Sequence, residues 1–73
     1  MPINPSNVAD WFNYHAPDDS QRRKFEDIRT ACTQAAQVIL ANTPVCADQQ
    51  AALRKLKEAL MTANSAVATG GVV

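Results

Sequence analysis

Apolar positions recur at helical spacing along most of the chain. Phe25, Ile28, Cys32, Ala35 and Ile39 advance by three or four residues at a time, which places them on one stripe of an α-helix. Leu53, Leu56, Leu60, Ala63 and Val67 repeat the pattern further on. Each stripe is narrow, like the seam of a coiled coil, so each helix needs the other to cover it. Between them Asn42-Thr43-Pro44 interrupts the helical pattern, because proline lacks the N–H that would continue the backbone ladder. The pattern predicts an antiparallel hairpin of two long helices over about 18–42 and 46–68. Folding back at Pro44 sets residue 28 opposite roughly 61, and residue 54 opposite roughly 35.

The boundaries carry their own chemistry. Asp18 is a good N-cap with Gln21 three residues on, a variant of the capping box, and Asp19 adds charge that suits the helix dipole. Asp48 is the expected cap of the second long helix, unless Cys46 and Ala47 already form its first turn. Thr69-Gly70-Gly71 ends that helix. Upstream, Val8, Trp11 and Phe12 stand at i, i+3 and i+4, enough for a short amphipathic helix over about 5–13, entered through Asn4-Pro5 or capped by Ser6. Such a short helix is marginal in water, so Trp11 and Phe12 must dock onto the hairpin or onto a neighbouring subunit. Asn13 to Pro17 is the connector, and no internal repeat or linker divides the chain, so residues 1–73 read as one all-α domain.

At 73 residues the chain is short for a self-sufficient core. Disulfides, a metal or oligomerisation normally stabilise so small a domain. The hairpin sets Cys32 roughly 18 Å from Cys46 along the helix axis, too far for a disulfide, and reduced thiols suit a cytosolic setting. One histidine and two separated cysteines match no metal-ligand spacing, so no cofactor or metal is expected. Oligomerisation remains. Ala31, Ala36, Ala51, Ala52, Ala59 and Ala66 widen the apolar surface beyond what one partner helix covers, which points to a homo-oligomer.

Charge narrows the partners. Seven basic and seven acidic side chains cancel to a net charge of zero, which argues against general DNA binding. No apolar run approaches the length of a membrane span, and Met1 to Asp10 has no basic segment leading into an apolar stretch, so the chain is expected to remain in the cytosol. No elbow, metal-ligand or phosphate-loop spacing appears, and Gly70 and Gly71 follow a helix rather than precede one, so an enzyme is not expected.

Two features could carry binding chemistry. Tyr14 and His15 adjoin each other in a connector flanked by Trp11, Phe12 and Pro17, where a flat face and a polar tip could meet a ligand ring. Equally, Tyr14 could pack the short helix onto the hairpin, and a lone histidine with no acidic partner at fixed spacing is more often a surface residue than a catalyst. The second feature is a pair of basic clusters, Arg22-Arg23-Lys24 with Arg29 and Arg54-Lys55 with Lys57. Within one subunit they stand at least roughly 15 Å apart along the axis, so they could grip one small anion only across a subunit interface. The plain alternative is two solvated faces, with Arg54 near Glu58 and Lys24 near Asp27 at helical spacing.

The order of several segments resembles a known family. Trp11-Phe12-Asn13-Tyr14-His15-Ala16-Pro17, then Ile28-Arg29, Ile39-Leu40-Ala41-Asn42-Thr43-Pro44, Ala47-Asp48-Gln49, Ala52-Leu53-Arg54-Lys55-Leu56 and Met61-Thr62-Ala63-Asn64 closely resemble the phage anti-CBASS cyclic-oligonucleotide sponges, which share a hairpin domain with phage anti-Thoeris sponges. The resemblance implies a non-enzymatic protein that sequesters cyclic nucleotide second messengers of antiphage defence in the cytoplasm of the infected host. It implies a compact helical homohexamer of interlocked trimers, with cyclic dinucleotides such as 3′,3′-cyclic GMP-AMP between subunits and cyclic trinucleotides in separate sites of some members. It implies Tyr14 as a base-stacking residue and a basic residue early in the first long helix, Arg29 or alternatively Lys24, against phosphate. For a trinucleotide it points to a hydroxyl near Thr30 and the tail around Gly70, although that tail is shorter than in longer relatives. The alternative function is a structural or protein-interaction hairpin that inhibits a protein partner.

Overall fold

The computed structural model describes residues 2–13 and 16–71, and these form three helices. Helix α1 is Val8–Phe12, α2 is Asp19–Asn42 and α3 is Ala47–Thr69, with no strand among the described residues. Packing of α2 on α3 is the one extensive contact between elements. The two form the antiparallel hairpin, and the side-chain amide of Gln21 donates to the Val67 carbonyl at 3.0 Å, which ties the start of α2 to the end of α3.

Local chemistry explains each boundary. The Asp18 carboxylate accepts from the Gln21 backbone N–H at 2.7 Å, and the Gln21 side-chain oxygen accepts from the Asp18 N–H at 3.1 Å, so the capping box is complete. At the far end of α2, the Asn42 amide donates to the Val38 carbonyl at 2.8 Å and the Thr43 hydroxyl to the Ile39 carbonyl at 2.7 Å. Side chains thus satisfy carbonyls that the terminating helix would otherwise leave without partners. Helix α3 ends on Gly70 at φ 63, a left-handed cap, and the Gly71 N–H reaches back to the Ala66 carbonyl at 3.2 Å.

Two sequence expectations need correction here. Asp48 does not cap α3. The helix begins at Ala47 behind Cys46, whose sulfur accepts from the Gln49 N–H at 3.5 Å, leaving Asp48 inside the first turn, where its charge still suits the helix dipole. Pro5 does not begin the short helix either, because Pro5 to Asn7 form a turn. The Asn4 side-chain oxygen does accept from the Ser6 and Asn7 N–H groups at 2.8 and 3.2 Å, so Asn4 acts as the expected capping side chain, at the head of this turn.

The seam residues of both helices face one another, yet none is fully buried. Phe25, Ile28, Cys32, Ala35 and Ile39 on α2, and Leu53, Leu56, Leu60, Ala63 and Val67 on α3, are all half-buried. Among the described residues only Asn7 and Gln49 are buried, and no apolar side chain is. The shape agrees. A radius of gyration of 15.2 Å compares with about 11 Å for a compact domain of this length. One layer of two helices has a seam and no interior.

Candidate functional site

The open end of the hairpin gathers the polar chemistry. Asp18, Ser20, Gln21 and Lys24 from the start of α2 meet Ala66, Val67 and Gly70 from the end of α3 around a groove of about 480 Å³. Gln21 and Val67 both line it, and the Gln21 side chain serves both the cap and the opposing helix. Lys24 brings a cation to this groove, and the connector that carries Tyr14 and His15 runs directly into Asp18. At the same end of α3, the Asn64 side-chain oxygen and the Thr69 hydroxyl are buried without a hydrogen-bond partner among the described residues. Buried polar atoms left in that state cost about 1–3 kcal/mol each, so they are groups that a ligand or a neighbouring chain can satisfy.

The other residues singled out in the sequence lie elsewhere. Tyr14 and His15 fall outside the described residues. Trp11 is 55% and Phe12 79% exposed, with ring centroids 6.2 Å apart in an edge-to-face arrangement. Trp11 shares a shallow groove of about 380 Å³ with Met61, Thr62 and Ser65 of α3, so the short helix touches the hairpin through one ring. Arg29 is exposed, with its guanidinium 3.9 Å from the Glu26 carboxylate. Thr30 is exposed on α2. At about 100° per residue, Lys24, Arg29 and Thr30 project in three directions more than 90° apart, so one chain does not bring them to one ligand.

The charge pairing also differs from the sequence expectation. Arg22 pairs with Asp19 at 2.9 Å, whereas Lys24 with Asp27 and Arg54 with Glu58 do not close. Exposed pairs contribute little in any case, about 0–1 kcal/mol. The consequence is that Lys24, Arg54 and Lys57 keep their ammonium and guanidinium groups free of carboxylates on their own helix. Sequence reasoning missed Ser20, Gln21, Ala66 and Val67 as groove residues. The available signal was the hairpin register, which sets Gln21 opposite Val67, but Gln21 had a sufficient explanation as a cap.

Small, wholly helical, with apolar faces left open and a polar groove at one end, the chain falls in the class of helical-hairpin domains. The family model described as the Acb2/Tad1 hairpin domain matches residues 4–68. The chain belongs to that family, the anti-CBASS and anti-Thoeris sponges. Membership implies phage anti-defence by sequestration in general terms, in a family known for binding rather than for enzymatic turnover. No curated protein and no solved structure matches the chain. Among the described residues no helix is long and apolar enough to cross a membrane.

Proposed function

We propose that this protein sequesters cyclic oligonucleotides made by the host defence system, without cleaving them, so that the downstream effector is not activated. The ligands are cyclic dinucleotides such as 3′,3′-cyclic GMP-AMP, with cyclic trinucleotides as a second class. The observation that supports the reading is the open-end groove, where Lys24 joins Gln21, Val67 and Gly70 and brings a cation to a polar lining. Tyr14 stacks a base, for which aromatic faces contribute about 1–3 kcal/mol each, with His15, Trp11 and Phe12 as its aromatic surroundings.

Lys24 is the phosphate partner within this reading, ahead of Arg29. It lines the groove, while Arg29 projects away from it and lies near a carboxylate. Thr30 and the tail at Gly70 remain the residues for a trinucleotide. The working form is a homohexamer with ligand held between subunits in the cytoplasm of the infected bacterium. Calorimetry with 3′,3′-cyclic GMP-AMP, followed by denaturation and chromatography of the released ligand, tests the proposal. Tight binding with intact ligand recovered is the expected result. No binding across a panel of cyclic di- and trinucleotides, with a stable protein complex captured instead, would transfer the function to a protein partner.

A further inference from the structure

The open-end groove holds more than a cation. Oδ1 of Asp18 accepts from the Gln21 backbone N–H, and Oδ2 has no partner among the described residues. The Gln21 side-chain amide donates one N–H to the Val67 carbonyl, and its second N–H has no partner among the described residues either. The capping box holds these two groups side by side, because the Gln21 side-chain oxygen is itself bonded to the Asp18 N–H at 3.1 Å. We propose that this pair reads the edge of a guanine base, so that the groove selects guanine-containing rings among the cyclic dinucleotides. The proposal rests on the sponge reading and adds the base to it.

A carboxylate in the groove of a doubly charged anion repels its ligand unless it accepts N–H groups from it. Guanine alone among the bases presents two adjacent N–H donors, N1–H and the 2-amino group, beside an acceptor, O6. Asp18 accepts from the two donors through Oδ2 and the remaining lone pair of Oδ1, and the free Gln21 N–H donates to O6, so the whole edge is read. Adenine sets its N1 lone pair against the carboxylate, and the pyrimidines offer a single donor position. Spacing selects the base over the sugar. Asp18, Gln21 and Lys24 follow at three-residue steps, so Lys24 stands about 9 Å along α2 from Asp18. That is the reach from a phosphate to the far edge of its purine, whereas a ribose hydroxyl lies beside the phosphate. Ala66, Val67 and Gly70 make the opposite side, with no side chain larger than valine, so a flat ring can lie along it.

Calorimetry on the native wild-type protein with three rings of one linkage tests the base: 3′,3′-cyclic di-GMP, 3′,3′-cyclic di-AMP and 3′,3′-cyclic di-IMP, whose hypoxanthine lacks the 2-amino group. Cyclic di-GMP should bind at least about tenfold more tightly than cyclic di-AMP, and at least about threefold more tightly than cyclic di-IMP. Asp18→Asn keeps a side chain that caps a helix as well as aspartate does, and it replaces an acceptor by a donor. It should bring cyclic di-GMP and cyclic di-AMP within about threefold of each other. Equal affinities for these two rings in the wild type, tighter binding of cyclic di-AMP, no loss with cyclic di-IMP, or an unchanged ratio in Asp18→Asn would overturn the inference and leave the sponge reading standing. Absence of binding by all three rings and by 3′,3′-cyclic GMP-AMP would overturn both. If Asp18→Asn does not fold, the wild-type comparison of the three rings decides.

Discussion

Gln21 makes three bonds, two of them with its side chain. Its side-chain oxygen accepts from the Asp18 N–H, its backbone N–H donates to the Asp18 carboxylate, and its side-chain amide donates to the Val67 carbonyl across the hairpin. Gln21→Ala removes two of these bonds and should cost about 1–2 kcal/mol in urea unfolding, more than an exposed cap alone would lose. Lys24, one turn further on, has no carboxylate partner among the described residues and lines the same groove. Lys24→Ala should weaken cyclic dinucleotide binding at least tenfold in calorimetry, while Arg29→Ala changes it less than threefold; the reverse order would return the phosphate role to Arg29. Tyr14→Ala should abolish binding and leave the assembly mass unchanged, and wild-type affinity in that variant would remove Tyr14 from the site.

The helices owe their ends to side chains and their length to a shared seam. Gln49 shows this at the turn, where it is 4% exposed and donates from its amide to the Thr43 carbonyl at 3.2 Å. That bond joins the end of α2 to the first turn of α3 and explains why a polar residue is the most buried of its helix. Gln49→Ala leaves the carbonyl unpaired and should cost about 1–2 kcal/mol by denaturant unfolding, whereas the exposed neighbour Gln50→Ala should stay within about 0.5 kcal/mol. At the other end, Gly70 sits at φ 63 with open space where a Cβ would stand. Gly70→Ala should therefore cost about 1 kcal/mol from backbone conformation alone. Helix α1 contrasts with both: five residues long, with most of Phe12 in water, it has too few partners within the chain to be held firmly.

For the whole molecule the dominant fact is a hairpin without an interior. Half-buried leucines contribute only part of the roughly 1.5–3 kcal/mol that full burial of such a side chain supplies, so in the proposed assembly a neighbouring copy would supply the rest. Stability should then depend on protein concentration, with the thermal midpoint rising across a hundredfold concentration series. A midpoint independent of concentration would mean that one hairpin folds unaided. Exposed Val38, Leu40 and Val45 near the turn, and Met61 beside Trp11, add further apolar surface for assembly.

Much of this was legible along the chain because helices are local objects. Residues three and four apart share a face whatever the rest of the chain does, so both seam stripes, the break at Pro44 and the Asp18–Gln21 box could be read in order. Caps were less certain, since several side chains near each boundary compete for the same N–H groups, and at α3 a cysteine took the position expected for Asp48. The grooves could not be read this way. Each joins residues far apart in sequence, Ala36 with Leu53 in one and Lys24 with Ala66 in the other, and its shape depends on the register between the two helices. Composition and periodicity determine that this chain makes two helices with one sticky stripe each. Only their packing decides that Lys24 shares a groove with Val67 and Gly70, and that Cys32 and Ala36 share another with three leucines. Side-chain direction around a helix changes by about 100° per residue, and a sequence alone does not specify rotation that finely.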